Sequence, residues 1–167
     1  IDLYYAHEDD QKTSLVETMT AFDTLVKSGK VRYVAASNYT GARLKEALAV
    51  SRDLGLTSYV ALQNEYNMVF RSEYEKSFGK QAPELGLDQF PYYSLASGFL
   101  SGKYRTKDDL SKSTRGDKVE QYLNPKGLGI LKALDQVAAH HSSTCASVAI
   151  AWLLHRPSVT APIASAT

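Results

Sequence analysis

Short runs of β-forming residues alternate with helical patterns along most of the chain. Strands are predicted near residues 2–7, 31–37, 59–63, 87–92 and 159–163. Helices are predicted at 13–28, 40–53, 71–84, 128–141 and 144–155, with a long polar loop over 94–124. Strands that are separated by helices and short connections are typical of βαβ units. The chain is therefore predicted to have an α/β fold with a parallel sheet.

Two architectures are compatible with this order of elements: an open doubly wound sheet and a (β/α)8 barrel. A Gly-x-Gly-x-x-Gly turn after the first strand would favour the doubly wound sheet, and the sequence lacks it. Five strands in 167 residues are too few for a closed barrel, which needs about 250 residues. The periodicity alone leaves both architectures open.

The composition of the chain indicates its cellular compartment and its partners, but not its chemical function. The net charge of +1 gives no reason to expect nucleic acid or an anionic membrane as a partner. No apolar stretch approaches the roughly 20 residues that span a bilayer, and the opening residues are not those of a signal peptide. The single cysteine, Cys145, excludes an internal disulfide and fits a reducing compartment. We therefore expect a soluble, cytoplasmic protein.

Polar or aromatic residues follow every predicted strand. In parallel α/β folds, ligands bind at the carboxyl ends of the strands. Side chains from several strands would meet there, and this pattern predicts a ligand site at that edge of the sheet. The residues concerned are His7, then Ser37 and Asn38, then 63–65, then Tyr92 and Tyr93, and then 165–167.

Five strings resemble those of aldo-keto reductases, and they follow one another in the family's order and spacing. They are IDLYYAH (1–7), SGKVRYVAASN (28–38), LQNEYN (62–67), YSLASGFLSGKY (93–104) and PIASAT (162–167). They are similar to the bacterial branch that has a long loop after strand seven. The resemblance implies a (β/α)8 TIM barrel, present over 1–167 as a single partial domain that carries strands four to eight. Strands one to three would lie outside these residues.

The resemblance also implies an activity: reduction of aldehydes or ketones to alcohols by hydride transfer from NADPH. In this family a tyrosine donates the proton, and an aspartate and a lysine tune it. All three would lie on the absent strands, so the 167-residue chain is expected to be inactive alone. His7 matches the histidine that orients the substrate carbonyl through a hydrogen bond to developing negative charge. Without its flanking residues, a lone histidine at a strand end would be interpreted as structural.

Three residues match the family's contacts to the nicotinamide carboxamide: Ser37, Asn38 and Gln63. A carboxamide presents both donors and acceptors, and these side chains supply both. The residues alone allow another interpretation, in which Ser37 and Asn38 cap the following helix. Tyr92 matches the aromatic side chain that stacks on the nicotinamide ring, and the alternative is a tyrosine of the core or rim.

The remaining cofactor contacts are expected along the phosphates. One segment resembles the loop that folds over the pyrophosphate in this family. Its backbone N–H groups would face the pyrophosphate, and glycine lets the backbone approach closely. This segment contains Ser94, Leu95, Ser97 and Gly98, and Lys103 is expected to meet a phosphate. Ser165 and Thr167 match family residues that bind the adenosine 2′-phosphate. Many relatives have arginine in place of Thr167, and a hydroxyl binds phosphate more weakly than a guanidinium. NADPH is expected as cofactor, with NADH possible.

Several residues are given structural roles. Cys145 is expected to be a small core residue, and Asp9 and Asp10 are expected in a solvated loop, where Asp10 could also cap a helix. No spacing of His, Cys and carboxylates suggests a metal site.

Three hypotheses about function stay open. The chain is part of an oxidoreductase that acts on a small carbonyl compound, or part of a non-catalytic nucleotide-binding regulatory subunit of the same fold, or an inactive truncated product. The motifs in these residues bind nucleotide in both of the first two cases. Only the residues on the absent strands would separate them.

Overall fold

A computed structural model describes residues 1–78 and 83–165 of the chain. The chain divides into two compact units. The first, the strand unit, comprises Ile1–Asn64 and Tyr74–Phe90; the second, the helical unit, comprises Glu65–Glu73 and Pro91–Thr167. The single partial barrel domain over 1–167 stays a prediction.

The strand unit contains a parallel sheet of four strands. They are β1 (Leu3–Ala6), β2 (Tyr33–Ser37), β3 (Tyr59–Gln63) and β4 (Asp88–Gln89), and they lie side by side in sequence order. Parallel neighbours that are also consecutive in the chain confirm the βαβ repeat for these strands. The pairing of Ser37 with Gln63 aligns the carboxyl ends of β2 and β3.

Two strand predictions differ from the structure. The strand predicted over 87–92 is reduced to the two residues of β4, and no strand forms at 159–163 within the described residues. There, the N–H of Ile163 donates a single hydrogen bond of 2.8 Å to the carbonyl of Pro91. Pro91 and Pro162 lack the N–H group that a strand needs for its ladder, which shortens pairing in both segments.

Two helices cover the sheet of the strand unit, and both begin at side-chain caps. Helix α1 (Leu15–Lys27) follows Ser14, whose hydroxyl accepts from the N–H of Glu17. Helix α2 (Gly41–Leu54) follows Thr40, whose hydroxyl accepts from the N–H of Arg43. Such caps satisfy N–H groups that the first helical turn leaves unpaired. The core residues of this unit include Met19, Val34, Leu44, Ala47 and Leu62, all at most 1% exposed.

The helix predicted at 71–84 is shorter in the structure. Helix α3 covers Ser72–Ser77, and a single 3-10 turn covers Pro83–Leu85. Part of the predicted range, 79–82, lies outside the described residues.

The segment predicted as a long polar loop, 94–124, is folded into short helices. Three are 3-10 helices, at Ala96–Ser101, Lys107–Lys112 and Glu120–Tyr122, and the fourth is α4 (Gly116–Val119). Their apolar side chains pack with those of α5 (Pro125–His140) and α6 (Cys145–Leu154). The core of the helical unit therefore draws on the segment predicted to be a loop, through Phe99, Leu100, Tyr104 and Val119.

Helices α5 and α6 form the rest of this core, with Leu131, Leu134 and Ala149 buried. Helix α5 begins three residues before its predicted start, because Asn124 accepts from the N–H of Gly127 and Pro125 occupies the first helical position. In the described residues, no helix is both long and apolar enough by itself to cross a membrane. The α5–α6 pair reaches that length and composition only when taken together across its 96° bend.

Candidate cofactor and substrate site

Three strand ends of the strand unit are tied together by side-chain hydrogen bonds. The hydroxyl of Ser37 donates to the carbonyl of Gln63 at 2.8 Å. The Nδ2 atom of Asn38 donates to the carbonyl of His7 at 2.9 Å and to the hydroxyl of Ser37 at 3.3 Å. The structure thus brings together the four site residues predicted on β1, β2 and β3, whose roles stay predictions.

Asn38 is held in an uncommon backbone conformation. Its φ of 59° lies in the left-handed region, which asparagine tolerates better than most residues. Its N–H donates to the side-chain carbonyl of Asn64 at 2.7 Å, and Nδ2 of Asn64 donates to the carbonyl of Tyr39 at 2.9 Å. The backbone of Asn38 is therefore fixed by its neighbours.

The structure decides against helix capping by Ser37 and Asn38. The cap of α2 is Thr40, and the side chains of Ser37 and Asn38 bond to the ends of β1 and β3 instead. Ser37 is 1% exposed, whereas Asn38 is exposed. The only proton of the Ser37 hydroxyl is donated to the carbonyl of Gln63, so this oxygen can offer a ligand only an acceptor lone pair.

His7 and Gln63 differ in the solvent exposure of their side chains. The side chain of His7 is exposed, so its ring nitrogens are accessible at the end of β1. Gln63 is half-buried, and its amide forms a side-chain hydrogen bond with Tyr5. Tyr5 was not predicted as a site residue, although it lies two residues before His7 on β1 and so shares its face of the sheet.

Tyr5 is poorly suited to give up a proton. Burial raises the pKa of its hydroxyl, and the hydrogen bond with Gln63 opposes that shift only in part. A hydroxyl with a raised pKa stays protonated and acts as a neutral hydrogen-bonding group. We therefore give Tyr5 the role of holding the Gln63 amide.

Asp9 contradicts the expectation of a solvated loop after β1. Its side chain is only 7% exposed and forms a two-point ion pair with Arg43 of α2. The atoms are Oδ2 with Nε at 2.8 Å and Oδ1 with Nη2 at 2.9 Å. Asp10 is exposed as expected, but it caps no helix: its carboxylate accepts from the N–H of Lys12 and the hydroxyl of Thr13. Spacing gave no signal for Asp9, because its partner is 34 residues away.

Tyr92 lies in the helical unit, where it pairs with Glu65 in a parallel bridge. Its ring meets that of Tyr93 edge to face, with centroids 5.1 Å apart. Tyr92 is half-buried and Tyr93 is 47% exposed, with a left-handed φ of 52°. The convergence of Tyr92 with the residues of the strand unit stays a prediction.

Asn67 organises the backbone around this tyrosine pair, and sequence patterns did not single it out. It is fully buried, and its Oδ1 atom accepts from the N–H groups of Val69 and Phe70. Its Nδ2 atom donates to the carbonyl of Tyr93 at 3.1 Å and to the Glu65 carboxylate at 3.4 Å. Burial raises the pKa of Glu65, and the Asn67 hydrogen bond opposes that shift.

The segment expected near the pyrophosphate has an unusual backbone. Ala96, Ser97 and Gly98 are consecutive residues with left-handed φ angles of 48°, 56° and 96°. The N–H of Gly98 is already donated to the carbonyl of Leu95 at 2.9 Å. Leu95 and Ser97 are half-buried. The contacts of this segment with a phosphate stay predictions.

The other predicted phosphate contacts are only partly described. Ser94 is 2% exposed, and its hydroxyl donates to the carbonyl of Pro91 at 3.1 Å. Lys103 is exposed, and its ammonium group lies 5.1 Å from the ring centre of Tyr104, folded back toward Gly98. Ser165 is exposed, and Thr167 lies outside the described residues.

Comparison with known proteins shows the family. The model of the aldo/keto reductase family matches residues 1–167. The chain belongs to the aldo/keto reductase family. This confirms the resemblance carried by the five strings. The family has a (β/α)8 fold, and the parallel four-stranded sheet is consistent with part of such a barrel.

Individual relatives are similar over nearly the whole chain. It is 29% identical over 165 residues to an aldo-keto reductase of Fusarium vanettenii, covering 98% of this chain and 44% of that protein. It is 32% identical over 164 residues to the uncharacterized oxidoreductase YrpG of Bacillus subtilis, covering 98% and 48%. It is 29% identical over 174 residues to a probable voltage-gated potassium channel subunit beta of Oryza sativa subsp. japonica, covering 100% and 52%. The chain spans about half the length of these relatives.

The polar residues of the strand unit suit an organic ligand. Among residues 1–78 and 83–165, no group of three or more His, Cys, Asp or Glu side chains could hold a metal ion. The strand ends instead present a hydroxyl and two amides, from Ser37, Asn38 and Gln63. These groups have the donors and acceptors that a carboxamide requires. The residues present therefore fit the nicotinamide end of a dinucleotide.

Proposed function

We propose that the protein containing this chain is an NAD(P)H-dependent oxidoreductase that reduces aldehydes or ketones to alcohols. The observation that carries the proposal is the hydrogen-bonded cluster of His7, Ser37, Asn38 and Gln63 at the carboxyl ends of three parallel strands. It occurs in a member of the aldo/keto reductase family, and the matched relatives include oxidoreductases. NADPH is the proposed cofactor, and NADH is the alternative.

When bound, the reduced nicotinamide supplies the hydride. The chain's own residues bind and orient it. Ser37 accepts a hydrogen bond from the carboxamide N–H₂ group, and the amides of Asn38 and Gln63 complete the set. We assign ring stacking to Tyr92, phosphate contacts to Ser94, Leu95, Ser97, Gly98 and Lys103, and contacts to the adenosine 2′-phosphate to Ser165 and Thr167.

His7 is assigned to the substrate. Its exposed imidazole donates a hydrogen bond to the carbonyl oxygen, which gains negative charge as the hydride arrives. A donor aimed at that oxygen stabilises the transition state more than the ground state. The proton comes from another group. We place the proton donor outside these 167 residues.

The test compares the protein expressed from its complete reading frame with the 167-residue chain. Oxidation of NADPH is followed by absorbance in the presence of an aromatic aldehyde. We expect turnover by the complete protein and none above background by the shorter chain, because general acid catalysis needs a positioned proton near the carbonyl oxygen. Turnover by the shorter chain would show that the proton donor lies within it.

His7 is tested by substitution in the complete protein. His7→Ala should lower kcat by about 100-fold, while the KM for NADPH stays the same, because His7 contacts substrate rather than cofactor. His140→Ala is the matched control, since His140 is an exposed histidine at the end of α5. Equal rates for the two variants would remove His7 from the catalytic site.

A second candidate is a non-catalytic nucleotide-binding regulatory subunit. The similarity to the rice protein, a probable voltage-gated potassium channel subunit beta, is the observation in its favour. Such a protein would bind NADPH without oxidising it, so the same assay with a binding measurement separates the two. An inactive truncated product would show neither binding nor turnover.

The partner and the compartment are proposals from composition. We propose a small carbonyl compound as substrate, with neither nucleic acid nor a membrane as a further partner, because the net charge is only +1. The single cysteine supports a cytoplasmic location.

A further inference from the structure

The Asp9–Arg43 ion pair is the most buried two-point charge contact among the ion pairs of the described residues. The side chains are 7% and 22% exposed, and both oxygens of Asp9 face the guanidinium. Most other pairs are far more open: Asp2 and Arg32, for example, are 83% and 71% exposed. A planar, two-point contact fixes direction as well as distance.

The position of Arg43 is unusual for a cation. It is the third residue after the Thr40 cap and lies in the first turn of α2. The positive end of the helix dipole disfavours a cation there. Asp9 offsets this cost, and its hydrogen bonds raise the pKa of Arg43. The carboxylate of Asp9 therefore compensates for an unfavourable position of the Arg43 charge.

Asp9 and Arg43 lie close in sequence to His7 and Asn38, two predicted site residues that are joined by a hydrogen bond. Asp9 follows His7 by two residues, and Arg43 follows Asn38 by five. Between them, Nδ2 of Asn38 donates to the carbonyl of His7 at 2.9 Å. The ion pair ties the loop after β1 to the first turn of α2. It is therefore a second link beside the pairing of β1 with β2, which ends at Ala6 and Ala36.

Two buried hydroxyls on neighbouring elements, those of Tyr39 and Tyr59, lie 3.1 Å apart. The negative charge of Asp9 raises the pKa of both hydroxyls in addition to the effect of burial. Glu46 approaches Arg43 from the exposed side, at 3.2 Å from Nη1.

We propose that Asp9 and Arg43 are positioning residues of the carboxamide site. They hold the His7 carbonyl against Asn38, and so they fix the direction in which the Asn38 amide meets the nicotinamide carboxamide. This inference rests on the proposed function. It assigns a role to a charge pair that touches neither the cofactor nor the substrate.

The experiment measures affinity for two nucleotides in the protein expressed from its complete reading frame. One is NADPH; the other is its analogue with an acetyl group in place of the carboxamide. Wild-type protein should prefer NADPH, because only the carboxamide has an N–H₂ group that can donate to Ser37 and to the side-chain oxygen of Asn38. Asp9→Asn keeps the shape of the side chain but removes its charge, and should reduce that preference about five- to tenfold, the effect of about one hydrogen bond.

Two further variants separate positioning from folding. Arg43→Lys keeps the charge opposite Asp9 but loses the two-point geometry, so it should fold normally and still lose part of the preference. Asp2→Asn breaks the exposed Asp2–Arg32 pair and should leave the preference unchanged. In an Asn38→Ala background, Asp9→Asn should have no further effect on the preference, because the positioned group is gone.

The outcomes are distinguishable. If Asp9→Asn and Arg43→Lys weaken both nucleotides by equal factors, or change only the midpoint of thermal unfolding, the pair is structural and the positioning role is wrong. An effect of Asp9→Asn that persists in the Asn38→Ala background also overturns it. If wild-type protein binds neither nucleotide, the proposed function fails, and this inference fails with it.

Discussion

The strand unit and the helical unit are built in different ways. In the strand unit, one pattern repeats: a strand, a capped helix and another strand, with each new strand added beside the last. In the helical unit, short 3-10 turns and helices are fitted around a shared apolar core, and no strand of its own forms within the described residues. Because its pattern repeats, the structure of the strand unit can be predicted from sequence. The structure of the helical unit depends on contacts between segments whose sequences predict a loop.

The first prediction concerns a cavity in the core of the helical unit, which should lower the free energy of unfolding. Leu131 is fully buried in the core of the helical unit, and Leu128 on the same helix is 40% exposed. Leu131→Ala should lower the free energy of unfolding by about 2–5 kcal/mol, because it removes packing and leaves a cavity. Leu128→Ala is the matched control and should cost much less. Urea unfolding measures both variants.

Hydrogen exchange locates the effect of Leu131→Ala. If the helical unit depends on its own core, amides within 91–165 should exchange faster while those of β1, β2 and β3 change little. Equal acceleration in both units would contradict the distinction between them.

A second prediction concerns close backbone approach in the helical unit. A Cβ atom at Gly127 would collide with the backbone carbonyl of Tyr122, whereas a Cβ at Gly129 would meet nothing within 4 Å. Gly127→Ala should therefore destabilise the protein by about 1–3 kcal/mol. Gly129→Ala, two residues along the same helix, should stabilise it by up to about 1 kcal/mol, because alanine favours helix more than glycine does.

Thermal unfolding of the two glycine variants makes the comparison directly. Similar midpoints would mean that the turn before α5 can move away from Gly127. The tight approach would then be no constraint on the helical unit.

The smallest predicted effect lies in the strand unit and depends on pH. Asp23 accepts hydrogen bonds from Thr57 and pairs with Lys27 at 2.7 Å. These partners, Lys27 first, hold the pKa of Asp23 below its ordinary value. A carboxylate with a lowered folded-state pKa stabilises the fold above its unfolded pKa. That stabilisation is lost as the pH falls below about 4.

Asp23→Asn should remove this part of the acid sensitivity, as measured by urea midpoints between neutral and acidic pH. Asp53→Asn is the control, because Asp53 and its partner Arg52 are 63% and 75% exposed. Parallel pH profiles for wild type and Asp23→Asn would show that the Thr57 contacts do not depend on the charge.

Much of the strand unit follows from its sequence. Apolar residues at helical spacing predict α1 and α2, and runs of β-formers between them predict β1, β2 and β3. The proximity of His7, Ser37, Asn38 and Gln63 was predictable because parallel strands present their carboxyl ends along one edge; their roles stay predictions. The same logic failed for 159–163, where Pro162 limits pairing.

Other features could not be predicted, for physical reasons. The short helices of 94–124 are stabilised by burial of Phe99 and Tyr104 against α5 and α6, and tertiary contacts of this kind leave little local pattern. The Asp9–Arg43 pair joins residues 34 apart that have no sequence relation. The left-handed backbone of Asn38 is imposed by partners on two neighbouring strand ends.

The bonds between strand ends join distant parts of the chain. Residues 31 and 26 positions apart are joined when Asn38 meets His7 and Ser37 meets Gln63. Each bond closes one strand–helix–strand unit, and the entropy of closing such loops is lost before the contacts form. The first closure needs only β1 and β2, but the cluster is complete only after β3 has joined. A nucleotide that binds this cluster would therefore stabilise the chain late in folding, once two consecutive units are in place.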